Sequence, residues 1–196
     1  MGRVSLREKI VKAGVALLHE RGYSACGIRE ITQAAGVPLG SFTNHFRSKE
    51  AFAALVLDRY MDTLRAVVAR TLRNEAREPL DRIAGYFDAI EEIAAPLEWR
   101  FGCMVANLGL ELAAASDLMR AHLATALAEL TRPFADVIGE AQVRGQVRTD
   151  IGAEELAVLI LSGWHGALLR AKVERHGDAP LLFRRALPAF LRPVER

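Results

Sequence analysis

The sequence predicts an all-α fold. Apolar residues recur every three or four positions through each long segment, which is the spacing that one buried face of a helix requires. No segment shows the period-2 alternation of a strand, and the breaks between periodic segments carry glycine, proline or serine. With 196 residues and a hydrophobic fraction of 51%, the chain can bury a substantial core.

Three short helices are predicted at the N-terminus. The first covers 6–21, where apolar residues share one face, and Gly22 ends it. The second begins after Gly27, which occupies the first position of a capping box. The third begins at Pro38, because proline is favoured in a first helical turn, and Gly36 forms the turn before it.

A long helix and five further helices are predicted next. Ser48 is well placed to cap the long helix, which covers 49–75 and has no linker before it. Pro133 is expected to bend or split the helix in which it lies. The five predicted ranges are 79–95, 102–115, 117–144, 153–175 and 180–191. The chain is thus predicted to have an N-terminal three-helix domain, residues 1–48, joined by the long helix to a helical domain over 49–196.

Charge is unevenly distributed along the chain. The first 50 residues hold eight Lys and Arg against four Glu, a net +4, whereas the remaining 18 basic and 20 acidic residues give −2. A basic N-terminal quarter suits local contact with phosphate groups, although an excess of four charges also arises by chance.

Several other classes of protein are disfavoured. Charged residues over 7–12 interrupt any secretory signal, and the apolar stretch 156–169 is too short to span a bilayer. Cys26 and Cys103 form no disulfide framework or metal-ligand spacing, so we expect a cytoplasmic protein with no metal. We also expect no cofactor and no enzymatic activity, since no phosphate-cradling loop and no nucleophile–base set is present.

Residues 27–46 have the pattern of a helix-turn-helix, whose second helix can enter the major groove of DNA. Phe42 and Phe46 lie four residues apart and are expected to face inward, while short polar side chains between them suit base edges and phosphates. His45 can alternatively pack under the helix, and each basic residue can be a solvated surface charge. The predicted DNA contacts are Arg29, Pro38, Gly40, Ser41, Thr43, Asn44, His45, Arg47 and Lys49.

A longer run of sequence resembles the N-terminal domain of TetR-family transcriptional repressors. The run covers about 7–57 and contains E-R-G-Y, A-A-G-V-P, G-S-F-x-x-H-F and S-K-E in that order. The resemblance implies an all-α homodimer whose C-terminal domain binds a ligand and dimerises. Such a dimer would present two helices about 34–36 Å apart to a palindromic operator. Leu39 and Thr43 stand where the family often has Lys and Tyr, so one charged and one aromatic phosphate contact are missing.

Two later segments, 101–112 and 164–174, resemble the subgroup that contains NemR and AcuR, repressors associated with reactive electrophiles and acrylate-type compounds. In NemR-like members a Gly-Cys pair carries the sensing thiol and a later lysine partners it; the matching positions are Cys103 and Lys172. Cys103 also falls at a predicted helix start, where backbone N–H groups favour a thiolate. The alternative is that Cys103 is a small apolar core residue.

Aromatic and polar residues on the later helices predict a ligand pocket beside Cys103. An amide or imidazole on an apolar helix face needs a partner, which a ligand can supply, although such residues can equally belong to the core. The predicted effector residues are Cys103, Lys172, Asn107, Trp99, Trp164 and His165.

The two apolar helices within 153–192 predict a homodimer. Gly163 and Gly166 allow close helix approach, and the last helix adds an apolar surface, so that two copies can form a four-helix bundle. Burial of these faces within the monomer is the competing interpretation.

The leading functional hypothesis is a repressor released from its operator by a small electrophile, an oxidant or an unsaturated acid sensed near Cys103. The alternative is a regulator that binds a bulky apolar ligand without a covalent bond, with Cys103 structural. An enzyme fused to a helix-turn-helix lacks a recognisable catalytic set, and an architectural DNA protein would not need the large apolar body.

Overall fold

A computed structural model of the chain describes residues 5–194, and within them it contains nine α-helices and no strand. The all-α prediction is therefore confirmed for the described residues. The helices are α1 (Leu6–Arg21), α2 (Ile28–Ala34), α3 (Gly40–His45), α4 (Lys49–Arg70), α5 (Pro79–Ala94), α6 (Met104–Leu112), α7 (Asp117–Val143), α8 (Ala153–Glu174) and α9 (Asp178–Leu191). A 3₁₀ turn, Ala95–Leu97, follows α5.

The predicted helix caps are present. Gly22 ends α1 with a φ of +84°, a left-handed conformation that glycine adopts without strain. The N–H of Gly27 donates to Glu30 Oε2 at 2.7 Å. This is the half of the capping box in which the side chain at N3 accepts the backbone N–H of the N-cap residue, and glycine can take part in it because it needs no side chain at the cap. Ser48 Oγ accepts the N–H of Ala51 at 3.0 Å and caps α4.

Several helix predictions differ from the structure. The long helix α4 ends at Arg70, five residues early, where the N–H of Arg73 turns back to the carbonyl of Val68 at 3.1 Å. Helix α3 begins two residues after Pro38, because the carbonyl of Pro38 is used in a tight turn by the N–H of Ser41. Helix α6 is shorter than 102–115 at both ends. Helix α7 continues through Pro133, so the proline does not split it.

The helices form two compact units. The first, which we call the head unit, contains α1 to α3, α4 up to Thr63, α6 and α7 up to Thr125. The second, the body unit, contains the remainder of α4 and α7 together with α5, α8 and α9. Packing therefore joins the three N-terminal helices to later parts of the chain, whereas the functional division between 48 and 49 stays a prediction.

Three phenylalanine rings hold the core of the head unit together. Phe42 and Phe46 on or beside α3 and Phe52 on α4 have centroids 4.8 to 5.0 Å apart. All three are buried, which confirms that Phe42 and Phe46 face inward. Gly14 on α1 is required here, because a Cβ at that position would lie 2.3 Å from the ring of Phe52.

A larger aromatic cluster fills the body unit. Phe87 of α5 lies 4.8 Å from Trp164, 5.4 Å from Phe183 and 5.6 Å from Phe134, between ring centroids. Each of these rings belongs to a different helix, so the cluster joins α5, α7, α8 and α9. Aromatic side chains bury large areas, so this cluster forms a central part of the core of the body unit.

Helix α8 is long and apolar enough to cross a membrane by length and composition alone, a property that it shares with core helices of soluble proteins. Its Leu156, Ile160, Trp164 and Leu168 are buried inside the body unit. Packing against the body therefore accounts for this apolar face.

Candidate DNA-binding and effector sites

Helix α3 presents a polar surface to solvent from a buried aromatic base. Thr43, Asn44 and His45 are exposed, while Phe42 and Phe46 anchor the helix from the opposite side. Because His45 is exposed, the structure does not favour packing of this side chain beneath the helix. The exposed side chains carry the donors and acceptors that base edges and phosphates need.

The start of α3 is open to an external partner. Gly40 has nothing within 4 Å of the position that a Cβ would occupy, so the described part of the protein does not itself require glycine there. Pro38 is exposed, and Leu39 is 48% exposed. Ser41 differs from the other predicted contacts, since it is only 8% exposed and little of it is open to DNA.

The predicted phosphate-binding residues fall into two groups. Arg29 and Arg47 are exposed and make no ion pair with any residue of the described range 5–194. Lys49 is partly buried and already engaged, because its Nζ donates to the carbonyl of Tyr23 at 2.7 Å and lies 4.1 Å from the centroid of that ring. The two arginines are therefore better placed for DNA than Lys49. Arg3, which contributes to the basic N-terminal charge, lies outside the described residues.

The cysteine of the head helices is structural. Cys26 is 1% exposed, and its thiol donates to the carbonyl of Leu17 at 3.4 Å. Burial raises the pKa of this thiol, and the nearby carboxylate of Glu30 raises it further. Cys26 is thus held in the protonated, unreactive form.

The second cysteine lies at the start of α6, as predicted. Cys103 is the N-cap residue of this helix, and its carbonyl accepts the N–H of Asn107 at 2.9 Å. Cys103 is 5% exposed, and Asn107 is partly buried one turn further along. Both residues belong to the head unit.

The other four predicted effector residues belong to the body unit. Trp164 is 2% exposed in the aromatic cluster and has the contacts of a core residue. Trp99 has a φ of +58° and covers Gly177, where a Cβ would lie 2.7 Å from the indole ring. His165 and Lys172 are partly buried on α8. The structure therefore divides the six residues between the two units.

A cavity of about 290 Å³ lies between α5 and α9 in the body unit, and none of the six predicted effector residues lines it. Its walls include Leu80, Ile83 and Phe87, and Arg184 and Arg185 supply its charged groups. Arg184 is neutralised by ion pairs with Asp88 and Glu91, whereas Arg185 is exposed. The cavity can accept an apolar molecule with a polar end.

One polar residue that no sequence pattern identifies contacts the turn before the helix-turn-helix. Glu111 of α6 accepts the backbone N–H of Tyr23 at 3.0 Å and that of Ser24 at 2.7 Å. The contact joins residues 87 and 88 positions apart in the chain. No local spacing pattern signals it, although a single acidic residue in the apolar segment 101–112 is unusual enough to require a partner.

Both parts of the chain match models of one protein family. Residues 10–56 match the domain described as bacterial regulatory proteins, tetR family, and residues 79–187 match the tetracyclin repressor-like C-terminal domain. These two ranges include α3 and most of the body helices.

Individual proteins are similar over nearly the whole chain. The HTH-type transcriptional repressor DhaR of Mycobacterium sp. (strain GP1) is 38% identical, with 91% of this chain and 88% of DhaR covered. The transcriptional regulator AcuR of Cereibacter sphaeroides is 36% identical, with 87% and 78% covered. The HTH-type transcriptional repressor NemR of Escherichia coli (strain K12) is 28% identical, with 86% and 85% covered.

A solved structure has the same fold throughout. The crystal structure of regulatory protein TetR from Rhodobacter sphaeroides superposes with a TM-score of 0.90 at 34% identity, with 95% of this chain and 100% of that chain covered. TetR-type regulators bind DNA operators and small molecules and act as dimers. The family matches, the relatives and the exposed helix α3 agree, and the chain therefore belongs to the TetR family of DNA-binding transcriptional repressors and is not an enzyme.

Proposed function

We propose that this chain is a homodimeric cytoplasmic repressor that binds a palindromic operator and releases it when a small effector is sensed near Cys103. The effector is an electrophile, an oxidant or an unsaturated acid. The observation that carries the DNA-binding half is the exposed, polar surface of α3 on a buried phenylalanine base.

Base and phosphate contacts are made by different residues of the head unit. Thr43, Asn44 and His45 read base edges in the major groove, and Arg29 and Arg47 contact phosphates. Gly40 has no side chain, so the DNA backbone can approach α3 closely there. Pro38, just before α3, lies at the same approach. The exposed Leu39 offers the apolar contact that suits a thymine methyl group.

Operator binding is tested with duplexes from the DNA surrounding the chain's own gene, by gel shift and fluorescence anisotropy at several salt concentrations. We expect Arg47→Ala to weaken binding to all DNA sequences. The slope of log affinity against log salt concentration should also become shallower by about one unit per head, because one phosphate contact is lost. Arg132→Ala is the matched control, because Arg132 is an exposed arginine of the body unit. If the wild-type chain shifts no palindrome from this region at low salt, the proposal is wrong.

Dimerisation through 153–192 is supported by exposed apolar residues on both α8 and α9. Leu159, Leu169 and Val173 are exposed along one side of α8, and Gly166 leaves open space between them. Leu182 of α9 is 65% exposed. Residues of this size on adjacent helices form a self-complementary patch for a two-fold axis.

Sedimentation velocity at micromolar concentration tests the dimer. We expect a dimer for the wild type and a shift to monomer for Leu182→Glu, because a carboxylate buried without a partner in an apolar interface is costly. Leu110→Glu is the matched control, since Leu110 is an exposed leucine of α6 outside this surface. A wild-type monomer would contradict this part of the proposal.

The effector chemistry rests on the thiol at the start of α6. The Cys103 thiolate adds to the β carbon of an α,β-unsaturated carbonyl compound, the C=C electron pair moves to the α carbon, and that carbon takes a proton from water. With hydrogen peroxide the same sulfur becomes a sulfenic acid and water is released. Because Cys103 is 5% exposed, only small compounds are expected to reach it.

Release of DNA requires that the modified or ligand-bound protein favour an arrangement that cannot bind the operator. The size of the shift is limited by the difference in effector affinity between the two arrangements. Asn107, His165, Lys172 and the two tryptophans, Trp99 and Trp164, stay predicted effector residues under this proposal.

The thiol route is tested by comparing wild type, Cys103→Ser and, as a control, Cys26→Ala. We expect all three to bind the operator, and only Cys103→Ser to lose release by acrolein or a maleimide and the matching mass increase. An unchanged response in Cys103→Ser would remove the thiol route.

A second candidate is a regulator of a bulky apolar compound with Cys103 structural. The apolar cavity between α5 and α9, together with the burial of Cys103, favours this alternative. Ala84 of α5 also lines this cavity. Ala84→Trp would fill it and abolish the response to such a compound, while Cys103→Ser would leave the response unchanged.

A further inference from the structure

We infer that Glu111 is a positioning residue for DNA binding, because its carboxylate fixes the turn at which the helix-turn-helix begins. The regulatory part of this inference rests on the proposed function, whereas the positioning part stands on the contacts of the head unit alone.

Glu111 holds the turn between α1 and α2 through main-chain atoms. Its two oxygens each accept one N–H, from Tyr23 at 3.0 Å and from Ser24 at 2.7 Å. Consecutive N–H groups bound by one carboxylate define both the position and the orientation of the peptide plane, and a charged acceptor strengthens both bonds. The contact acts on the backbone, so it does not depend on which side chains occupy positions 23 and 24.

The residue before Tyr23, Gly22, leaves room for the same carboxylate. A Cβ at Gly22 would lie 2.0 Å from Glu111 Oε1, and the φ of +84° at Gly22 also excludes most other residues. The sequence E-R-G-Y at the end of α1 therefore both ends the helix and makes room for a side chain of α6.

The peptide that Glu111 binds is also held from its other end. The carbonyl of Tyr23 accepts from Lys49 Nζ at 2.7 Å, and the ammonium lies over the Tyr23 ring. The N–H and the carbonyl of Tyr23 are thus bound by opposite charges from α6 and α4. This arrangement fixes the entry to α2, and α3 follows α2 after a short turn.

The electrostatics agree with this role. Burial alone would raise the pKa of Glu111, but the hydrogen bonds from Ser24 and Tyr23 and the positive charge of Lys49 outweigh it, so the pKa is lowered. The carboxylate is therefore ionised at neutral pH, the state in which it accepts both N–H groups.

The position of Glu111 on α6 connects the turn to Cys103. Cys103 is the N-cap of α6 and Glu111 lies eight residues later, about 12 Å along the helix at 1.5 Å per residue. A helix moves as a rigid rod over this length, so a displacement of α6 at its first residue withdraws both acceptors from the turn. In the proposed repressor, this is how a change at Cys103 reaches α2 and α3.

The test uses the full-length dimer of Glu111→Gln, with Asp117→Asn as the matched control. Gln keeps the shape of the side chain but places an N–H₂ group against one of the two N–H donors. Asp117 is an exposed acid of the same unit whose described partner is Arg120 on its own helix. The control removes one negative charge without touching the turn.

Two readouts separate positioning from folding. Hydrogen exchange without DNA should show the Tyr23 and Ser24 amides exchanging about fivefold or more faster in Glu111→Gln, with the amides of the body unit unchanged. Operator affinity should fall about tenfold, because a loss of about threefold at each head multiplies across two half-sites. Asp117→Asn should change neither quantity by more than about twofold.

Unchanged exchange at both amides together with unchanged operator affinity in Glu111→Gln would overturn the inference. That result is distinguishable from failure of the proposed function, in which the wild type itself binds no operator. Altered exchange with unchanged affinity would also overturn it, since Glu111 would then order the turn without positioning the DNA-binding helices.

Discussion

The head and body units are stabilised in different ways. The body unit is built on a cluster of large rings around Phe87 and Trp164 that joins four helices. In the head unit, α2 and α3 have seven and six residues, too few to bury much area, and polar contacts with the backbone position the turn before them. The comparison indicates that the body owes its stability to buried area, whereas the head owes its geometry to a few directional bonds.

The largest expected effect is in the body unit. Trp164→Ala removes the central ring contact with Phe87 and leaves a cavity, and we expect the free energy of unfolding to fall by about 3–5 kcal/mol. Chemical denaturation monitored by circular dichroism measures it. Trp164→Phe is the control and should cost clearly less; a loss below about 1 kcal/mol for Trp164→Ala would contradict the assignment of this residue to the core.

A buried cation of the body unit gives the next largest effect. Arg82 is 6% exposed, and it donates to the carbonyl of Leu72 and to Glu140, each at 2.6 Å. Arg82→Met leaves that carbonyl unpaired, while Glu140 keeps its pair with Arg144. We therefore expect the free energy of unfolding to fall by about 2–3 kcal/mol. This is less than the usual cost of breaking a fully buried ion pair.

The control for this substitution is Arg132→Met, because the guanidinium of Arg132 is mostly exposed and 3.8 Å from its partner Asp136. The free energy of unfolding should fall by no more than about 0.5 kcal/mol in Arg132→Met. Equal losses for the two arginines would show that burial does not set the strength of these contacts.

In the head unit, the corresponding cation is Lys49. Lys49→Met removes the bond to the Tyr23 carbonyl and the contact with the Tyr23 ring, and we expect a loss of about 1–2 kcal/mol. Thermal unfolding followed by circular dichroism measures it, with the exposed Lys12→Met as control. A loss as large as that of Trp164→Ala would contradict the distinction between the two units.

The sequence predicts the features that depend on near neighbours in the chain. The spacing of Phe42 and Phe46 alone predicts that they face inward. Gly22 and Ser48 are predictable as caps because capping acts within one turn. Glu111 and Tyr23 are 88 residues apart, and no repeating pattern in the sequence links them. Their contact is therefore visible only in the folded structure.

The effector pocket shows the same limit. Aromatic residues on the body helices predict a pocket beside Cys103. Trp164 has the contacts of a core residue and the cavity between α5 and α9 is lined by other residues, so the pocket beside Cys103 stays a prediction. Periodicity shows that a side chain is buried; it does not show whether a protein ring or a ligand lies against it.

The smallest expected effect concerns acid stability of the head unit. Because the pKa of Glu111 is lower in the folded chain than its ordinary value, its contribution is fully present above about pH 5 and is lost as the pH falls through the folded pKa. Glu111→Gln lacks this contribution at every pH. The difference in unfolding free energy between wild type and Glu111→Gln should therefore shrink as the pH falls below about 5 and through the folded pKa.

The difference is expected to be below about 1 kcal/mol at neutral pH, because the carboxylate is only partly buried and solvent screens it. Parallel urea titrations of the two proteins across this pH range measure it, and other carboxylates cancel because both chains carry them. If the difference instead grows on acidification, the folded chain binds the proton of Glu111 more tightly than the unfolded chain. The head turn would then not depend on an ionised carboxylate, and directional bonds to charged groups would not be what distinguishes the head from the body.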